Sequence, residues 1–356
     1  MNSHFLELPI YELGTAEKMP LLIDALHQLT QHHAQHCPEY ARLLKAYGID
    51  ATQRPDTLAD FLPLTVRQFK LQKLKSIADD AVFKTLLSSG TSGTPSSIFL
   101  DKDAAAKQSK VLVKIMQHWL GKQRLPMLIA DHANVIKDRS RFSARGAGIQ
   151  GMAMLGREHT YALNDDMSFN HEAVAAFAEQ HGDGPVLLFG FTYMIWQYFI
   201  DALIHSGIRF PQGILLHGGG WKKLEKQSVD NATFKARLAE AGIERVHNYY
   251  GMIEQTGAIF VECEHGHLHA PVYADIIVRD SVSGKALEPA ANGIIELLSV
   301  LPESYPGHVL LSEDIGQLLG EDDCPCGRKG RYFQIQGRIP RAEARGCSDT
   351  FTLEPA

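Results

Sequence analysis

The chain has 356 residues, 45% of them hydrophobic, and a formal net charge of -6. It can therefore bury a large core, and it lacks the basic excess of a surface that tracks nucleic-acid phosphates. Residues 1–20 carry Glu7, Glu12 and Glu17 and no basic start followed by an apolar run, which argues against a signal peptide. Five cysteines, an odd number in a long chain expected to have no leader, fit a reducing cytoplasm and need a use other than disulfides.

In chain order, an amphipathic helix is predicted over 20–36, and Pro38 opens another in CPEYARLL, with Cys37 a packing residue at the junction. A strand-like run, 81–87, leads into SSGTSGTPS (88–96), and SIFL continues as a strand. Helix follows over 103–121, strand over 126–130, helix over 171–181, strand over 185–191 and helix over 192–206. Strand 213–217, helix 222–241 and strand 244–248 complete this part. The best membrane candidate is 186–204, VLLFGFTYMIWQYFIDALI, but Gln197, Asp201 and the preceding Gly-Pro turn mark a buried strand running into a helix. Alternating strands and helices predict an α/β fold with a mainly parallel sheet covered on both faces. After about residue 258 short β-like runs (259–262, 272–279, 293–298, 307–311) sit between turns. The predicted organisation is an α/β region over 1–257, a smaller β-rich subdomain over 258–336 and a tail over 337–356, without internal repeats.

Residues 88–96 combine two glycines, a proline and six hydroxyls. Glycine permits the backbone conformations in which successive N–H groups converge on an anion, and small hydroxyls add donors. The loop reads as a phosphate cradle or as a flexible surface loop. It is not the common Gly-Lys-Ser/Thr nucleotide loop, because it runs on into a strand. Cys263 in CEHGHLH and Cys324 and Cys326 in CPCGR place three thiols near histidines at short spacing, a donor set that suits a closed structural Zn²⁺ site.

With HGGG at 217–220, NYYGMIEQTG at 248–257, LSEDIG at 311–316 and GRIPRAEARG at 337–346, the loop completes a series. In that order these stretches resemble the core motifs of the adenylate-forming superfamily, from about residue 80 to 346. The resemblance implies ATP and Mg²⁺ as cofactors and assigns roles. Ser88, Ser89, Gly90, Thr91, Ser92, Gly93 and Thr94 would hold the β- and γ-phosphates. Gly218, Gly219 and Gly220 would lie along the adenine. Tyr250 and Gly251, with Tyr249 beside them, would stack on it. Glu254 would hold Mg²⁺, Asp314 the ribose hydroxyls, and Arg338 ribose or phosphate. Cys-x5-His resembles the metal knuckle of the phenylacetate-CoA ligase branch, which selects His269 as fourth zinc ligand, with His265 and His267 as alternatives.

Departures from the pattern narrow the family. Ser96 stands where a lysine is usual and Pro340 where an aspartate is usual, and the sequence, which stops at Ala356, is expected to lack the small C-terminal domain of typical members. In this it resembles the acyl-protein synthetases of the bacterial luminescence fatty-acid reductase system. That resemblance implies a ligase that forms acyl-adenylate and moves the acyl group to its own Cys347 for delivery to a partner reductase. Arg341, Arg345 and Lys329 would lower the pKa of that thiol.

The acid is expected to be a fatty acid. Aryl-acid activation, with release of the adenylate to another acceptor, is the alternative within the fold. A catalytically silent nucleotide- or acyl-binding scaffold is the alternative outside enzymes, and an oligomer is compatible with any of these. The aromatic run Phe189, Phe191, Tyr193, Trp196, Tyr198 and Phe199 reads as core or as the wall of an acyl pocket. The glycine-rich stretch 145–156 reads as a tunnel lining or as close helix packing.

Overall fold

The computed structural model describes residues 3–88, 95–136, 144–221 and 227–339. The described chain forms two compact units, one built from the residues up to Ile115 together with those from Gly251 onward, the other from Met116–Tyr250. The division between the units lies between Tyr250 and Gly251. The first 115 residues, however, join the β-rich part, because Leu64–Thr65 pairs in parallel with Leu310 and Leu311.

In the unit Met116–Tyr250, five strands run Gly156–Leu163, Leu125–His132, Val186–Phe191, Gly213–Gly218, Arg245–Tyr250, each pair parallel. Val186–Phe191 and Gly213–Gly218 are buried at every position, the continuous apolar run expected of parallel strands covered on both faces. Helix His171–His181 begins where Asn170 accepts a hydrogen bond from the Ala173 N–H at 3.0 Å. Helix Asn231–Glu240 is capped in the same way by Asp230, which sets its start well inside the predicted 222–241. The 186–204 stretch is a strand followed by a helical run with a π-turn at Ile195–Phe199, and Phe189, Phe191 and Phe199 are core residues. The strand Gly156–Leu163 escaped the sequence reading, since its exposed start (Arg157, Glu158, His159) carries no apolar alternation. Among the described residues no helix is long and apolar enough to cross a membrane.

The other unit carries an antiparallel sheet in the order Ala274–Arg279, Asn292–Ser299, Val309–Glu321, Arg331–Arg338, Leu268–His269, Phe260–Glu262. A hairpin, Lys84–Leu87 with Ser97–Leu100, lies in the same unit. Helix Thr15–His36 begins five residues before the predicted start. Its cap is remote: the Asp322 carboxylate accepts from the Thr15 N–H at 2.8 and 3.1 Å. The helix buries Leu22, Leu26, Leu29 and His33, one stripe at helical spacing. Lys18 and Asp275, both buried, pair at 3.2 Å. Desolvation lowers the Lys18 pKa against the pull of that partner.

Two buried histidines anchor this helix and the chain opposite. His33 Nε2 lies 3.0 Å from the Pro302 carbonyl, which can only accept, so Nε2 carries the proton and Nδ1 accepts from the Ser76 hydroxyl at 2.7 Å. The Thr30 hydroxyl donates to the Leu26 carbonyl at 3.0 Å and so accepts from His308 Nε2 at 3.0 Å. Both rings are held neutral. Burial lowers the His33 pKa well below the ordinary value and that of His308 to about 3. Because the folded values lie below the unfolded one, their contribution is complete above about pH 6.5 and is lost as the pH falls toward the folded values. Unfolding free energy is expected to drop by about 1.4 kcal/mol per pH unit for each ring below pH 6. Denaturant titrations at a series of pH values check this, and His308→Phe should flatten the slope by about one proton.

Candidate functional site

In the unit Met116–Tyr250 the predicted adenine residues sit at the carboxyl ends of adjacent parallel strands, the edge at which open α/β sheets bind ligands. The register places Gly218 opposite Tyr249. A Cβ on Gly218 would lie 2.8 Å from Tyr249 Cε1, and one on Gly219, at φ +82°, would lie 2.9 Å from Phe191 Cδ1. Gly220 also takes a positive φ, +65°. Gly219 and Gly220 are exposed, and Tyr249 and Tyr250 are half-buried. The strand thus ends in a bare backbone turn whose glycines are required by close approach and by conformation.

In the other unit, Glu254 is buried in a short 3-10 turn, Ile253–Gln255. Gln255, which the sequence reading passed over, locks this turn: its Nε2 donates to the Leu297 and Gly307 carbonyls at 2.9 and 2.8 Å. Gly307 has no room for a side chain beside the Glu254 carbonyl. A glutamine beside the motif glutamate was visible in EQTG, but its partners are more than forty residues away. Gly251 packs against Ile259, where a Cβ would lie 3.0 Å from Cγ2.

Asp314 and Arg338 are Cα partners on neighbouring antiparallel strands, and Arg338 Nε lies 3.1 Å from Asp314 Oδ1. Arg338 Nη2 is also 3.5 Å from Glu313 Oε2, a neighbour the sequence reading did not single out. The register shifts between Ile315 and Gly316, a bulge beside the paired charges. Ser88 closes the base of its loop: its N–H donates to the Ser96 carbonyl at 3.0 Å, and its Oγ accepts from the Ser96 N–H at 2.7 Å. Ser96, which stands at the usual lysine position, is fully buried. Ser89, Gly90, Thr91, Ser92, Gly93 and Thr94 lie outside the described residues, as do Pro340, Arg341, Arg345 and Cys347. Lys329 donates its Nζ to the Asp322 carbonyl at 3.0 Å.

Cys263, His269, Cys324 and Cys326 come together, their ligating atoms all within 4.8 Å of one another. Cys263 Sγ and Cys324 Sγ are 4.0 Å apart, and Cys326 Sγ and His269 Nε2 are 3.3 Å apart. The edges of a tetrahedral S/N site around zinc are about 3.5–3.8 Å, so the donor set fits that ion in chemistry and size. His267 Nδ1 contacts Cys324 Sγ at 3.2 Å from outside the four, while His265 is exposed. Burial raises the Cys263 thiol and pushes that of Cys324 up to about 12. Without a cation to ionise them these are inert thiols.

A family model described as "Acyl-protein synthetase, LuxE" matches residues 4–354. A long-chain-fatty-acid–luciferin-component ligase of Aliivibrio fischeri is 24% identical over 79% of this chain and 75% of its own. The ligase of the same description from Vibrio harveyi is 24% identical over 89% of this chain and 84% of its own. In fold, the chain is similar to a 2-hydroxyisobutyryl-CoA ligase solved in an open conformation with 2-HIB-AMP and CoA, with a TM-score of 0.71 at 17% identity, over 93% of this chain and 77% of that one. The fold is therefore that of the adenylate-forming ligases, and the match along nearly the whole length places the chain in the acyl-protein synthetase family, LuxE.

Proposed function

We propose that the protein activates a long-chain fatty acid with ATP and then carries the acyl group as a thioester on Cys347, for delivery to a partner reductase. Membership of the acyl-protein synthetase family carries this reading, and the names of the fatty-acid ligases it resembles favour a fatty acid over an aryl acid.

In the first step a carboxylate oxygen attacks the α-phosphorus of ATP, the bond to pyrophosphate breaks, and acyl-adenylate remains. No proton moves, so the protein's task is positioning and charge neutralisation. Ser88 and the loop through Thr94 would take the β- and γ-phosphates. The Gly218–Gly220 turn offers adenine a surface without side chains, with Tyr249, Tyr250 and Gly251 as its stacking partners. Asp314, paired with Arg338 across the strands, would take the ribose hydroxyls. Arg338 would add positive charge near the ribose or phosphate. Glu254 would hold Mg²⁺, which supplies charge neutralisation at the phosphates. In the second step the Cys347 thiolate attacks the acyl carbonyl, the C–O bond to AMP breaks, and AMP leaves. Cys263, His269, Cys324 and Cys326 would hold one structural Zn²⁺, tying two turns of the antiparallel sheet.

Incubation with ATP, Mg²⁺ and a fatty acid should give a hydroxylamine-labile mass gain of one acyl group on the intact protein. Cys347→Ser should abolish that gain while pyrophosphate release continues, and Glu254→Gln should lower pyrophosphate release about 10²-fold or more. Equal loss of both readouts in the two variants would refute the separate roles. For the metal, freshly purified protein should hold one zinc per chain, and Cys324→Ser should lose the metal and lower the melting temperature. A trace of zinc only, in protein never exposed to chelator, would remove the metal reading.

A further inference from the structure

At the carboxyl edge of the parallel sheet, strand Gly213–Gly218 ends beside Thr192, the first residue of the helix that follows strand Val186–Phe191. The Thr192 hydroxyl oxygen lies 3.1 Å from the Gly218 carbonyl oxygen and 2.9 Å from His217 Nδ1, and both side chains are buried. A hydroxyl has one hydrogen and a carbonyl can only accept. The hydrogen therefore goes to Gly218, and Oγ1 must accept from a protonated Nδ1. The ring is then neutral, with Nε2 a bare acceptor that meets no donor among the described residues. Its face packs on Phe234, with ring centroids 4.7 Å apart. Burial lowers its pKa to about 3, so this chain of bonds keeps one state at neutral pH.

Beyond Gly218 the backbone enters two successive positive-φ glycines, which have no side chains with which to anchor themselves. The Gly218 carbonyl is the last atom of the strand held by a buried side chain. We infer that Thr192 and His217 are positioning residues that aim the Gly218–Gly220 turn at the nucleotide base. This rests on the reading of that turn as the adenine side of the ATP site. Thr192 acts on the turn directly through the Gly218 carbonyl, and His217 acts through the Thr192 hydroxyl. The consequence is a residue pair that sets ATP affinity with little effect on the chemical step.

Trp221 follows the turn directly, its ring 5.5 Å from Trp196 and 6.1 Å from Phe234, and so supplies a reporter independent of turnover. ATP is titrated against the full-length protein by tryptophan fluorescence, and KM and kcat for ATP-dependent pyrophosphate release are measured in parallel. Thr192→Val should raise both Kd and KM for ATP about three- to tenfold, the effect of one lost hydrogen bond, with kcat within about twofold. Thr192→Ser should restore affinity, since it keeps the hydroxyl. His217→Asn, with an amide N–H in place of Nδ1–H, should bind ATP more tightly than His217→Leu. Circular dichroism confirms that each variant is folded at the assay temperature. A folded Thr192→Val that binds ATP as the unaltered protein does would overturn the inference and leave the ATP reading intact. An unaltered protein that binds no ATP would overturn that reading, and the inference with it.

Discussion

The register of one antiparallel pair, Val309–Glu321 against Arg331–Arg338, governs two chemically distinct parts of the molecule. At one end it sets Asp314 opposite Arg338, and at the other Glu321 opposite Arg331. The seven residue steps from Asp314 to Glu321 span about 24 Å at the usual rise of an extended strand. The connection between the strands carries Asp322, Cys324 and Cys326. Asp322 caps helix Thr15–His36 from a distance of 307 residues in sequence, and it also accepts from the Gly330 N–H at 2.7 Å. A slip of one residue would turn every side chain to the opposite face. It would separate the Asp314–Arg338 pair, uncap the helix and take two thiols away from Cys263 and His269 together.

The parallel sheet works under a different constraint, the absence of side chains. On the proposed reading its strands end where the nucleotide base would approach backbone. The glycines there are fixed by what surrounds them: Tyr249 fills the space beside Gly218, and Phe191 fills that beside Gly219. A turn with no side chains cannot hold its own orientation. The Thr192–Gly218 bond joins it to the helix that begins one residue after Phe191, and His217 completes the hydroxyl's coordination from inside the core. The polar atoms behind the turn thus do what side chains on the turn would do, without occupying the surface that faces outward.

The readable parts of the chain were those whose cause is local. The helix at His171–His181 carries its own cap, and the apolar runs at 186–191 and 213–218, short and bounded by turn residues, read as buried strands. The three thiols were legible as a set because the donor chemistry is narrow, although two turns far apart in sequence supply them, while the choice of His269 over His265 and His267 rested on the resemblance to a known metal knuckle. What was hidden depends on distant partners. The start of the first helix at Thr15 needs Asp322, the locking of Glu254 needs Gln255 to find the Leu297 and Gly307 carbonyls, and the role of Thr192 needs the carbonyl of a glycine on another strand. The grouping of the first 115 residues with the antiparallel sheet was hidden for the same reason, since the two-residue strand at Leu64 has no signature of its own.

The cysteines show how one chain can keep several thiols apart in function. Acyl transfer to sulfur needs a thiolate that an acyl-adenylate can reach. Cys37 is wholly buried, and desolvation raises its pKa, so it stays a neutral packing group. Cys263 and Cys324 are buried and raised in the same way. Cys326 is less buried, but its sulfur lies 3.3 Å from His269 Nε2 within the same cluster. A metal there would ionise these thiols and at the same moment consume their lone pairs, which makes them poor acceptors. Four of the five cysteines are thus unsuited to acyl transfer by burial or by clustering. On the proposed reading this is what directs the acyl group to a single sulfur, Cys347: a chain that generates a reactive acyl-adenylate avoids acylating itself at random by keeping its other thiols buried or gathered in a metal-binding cluster.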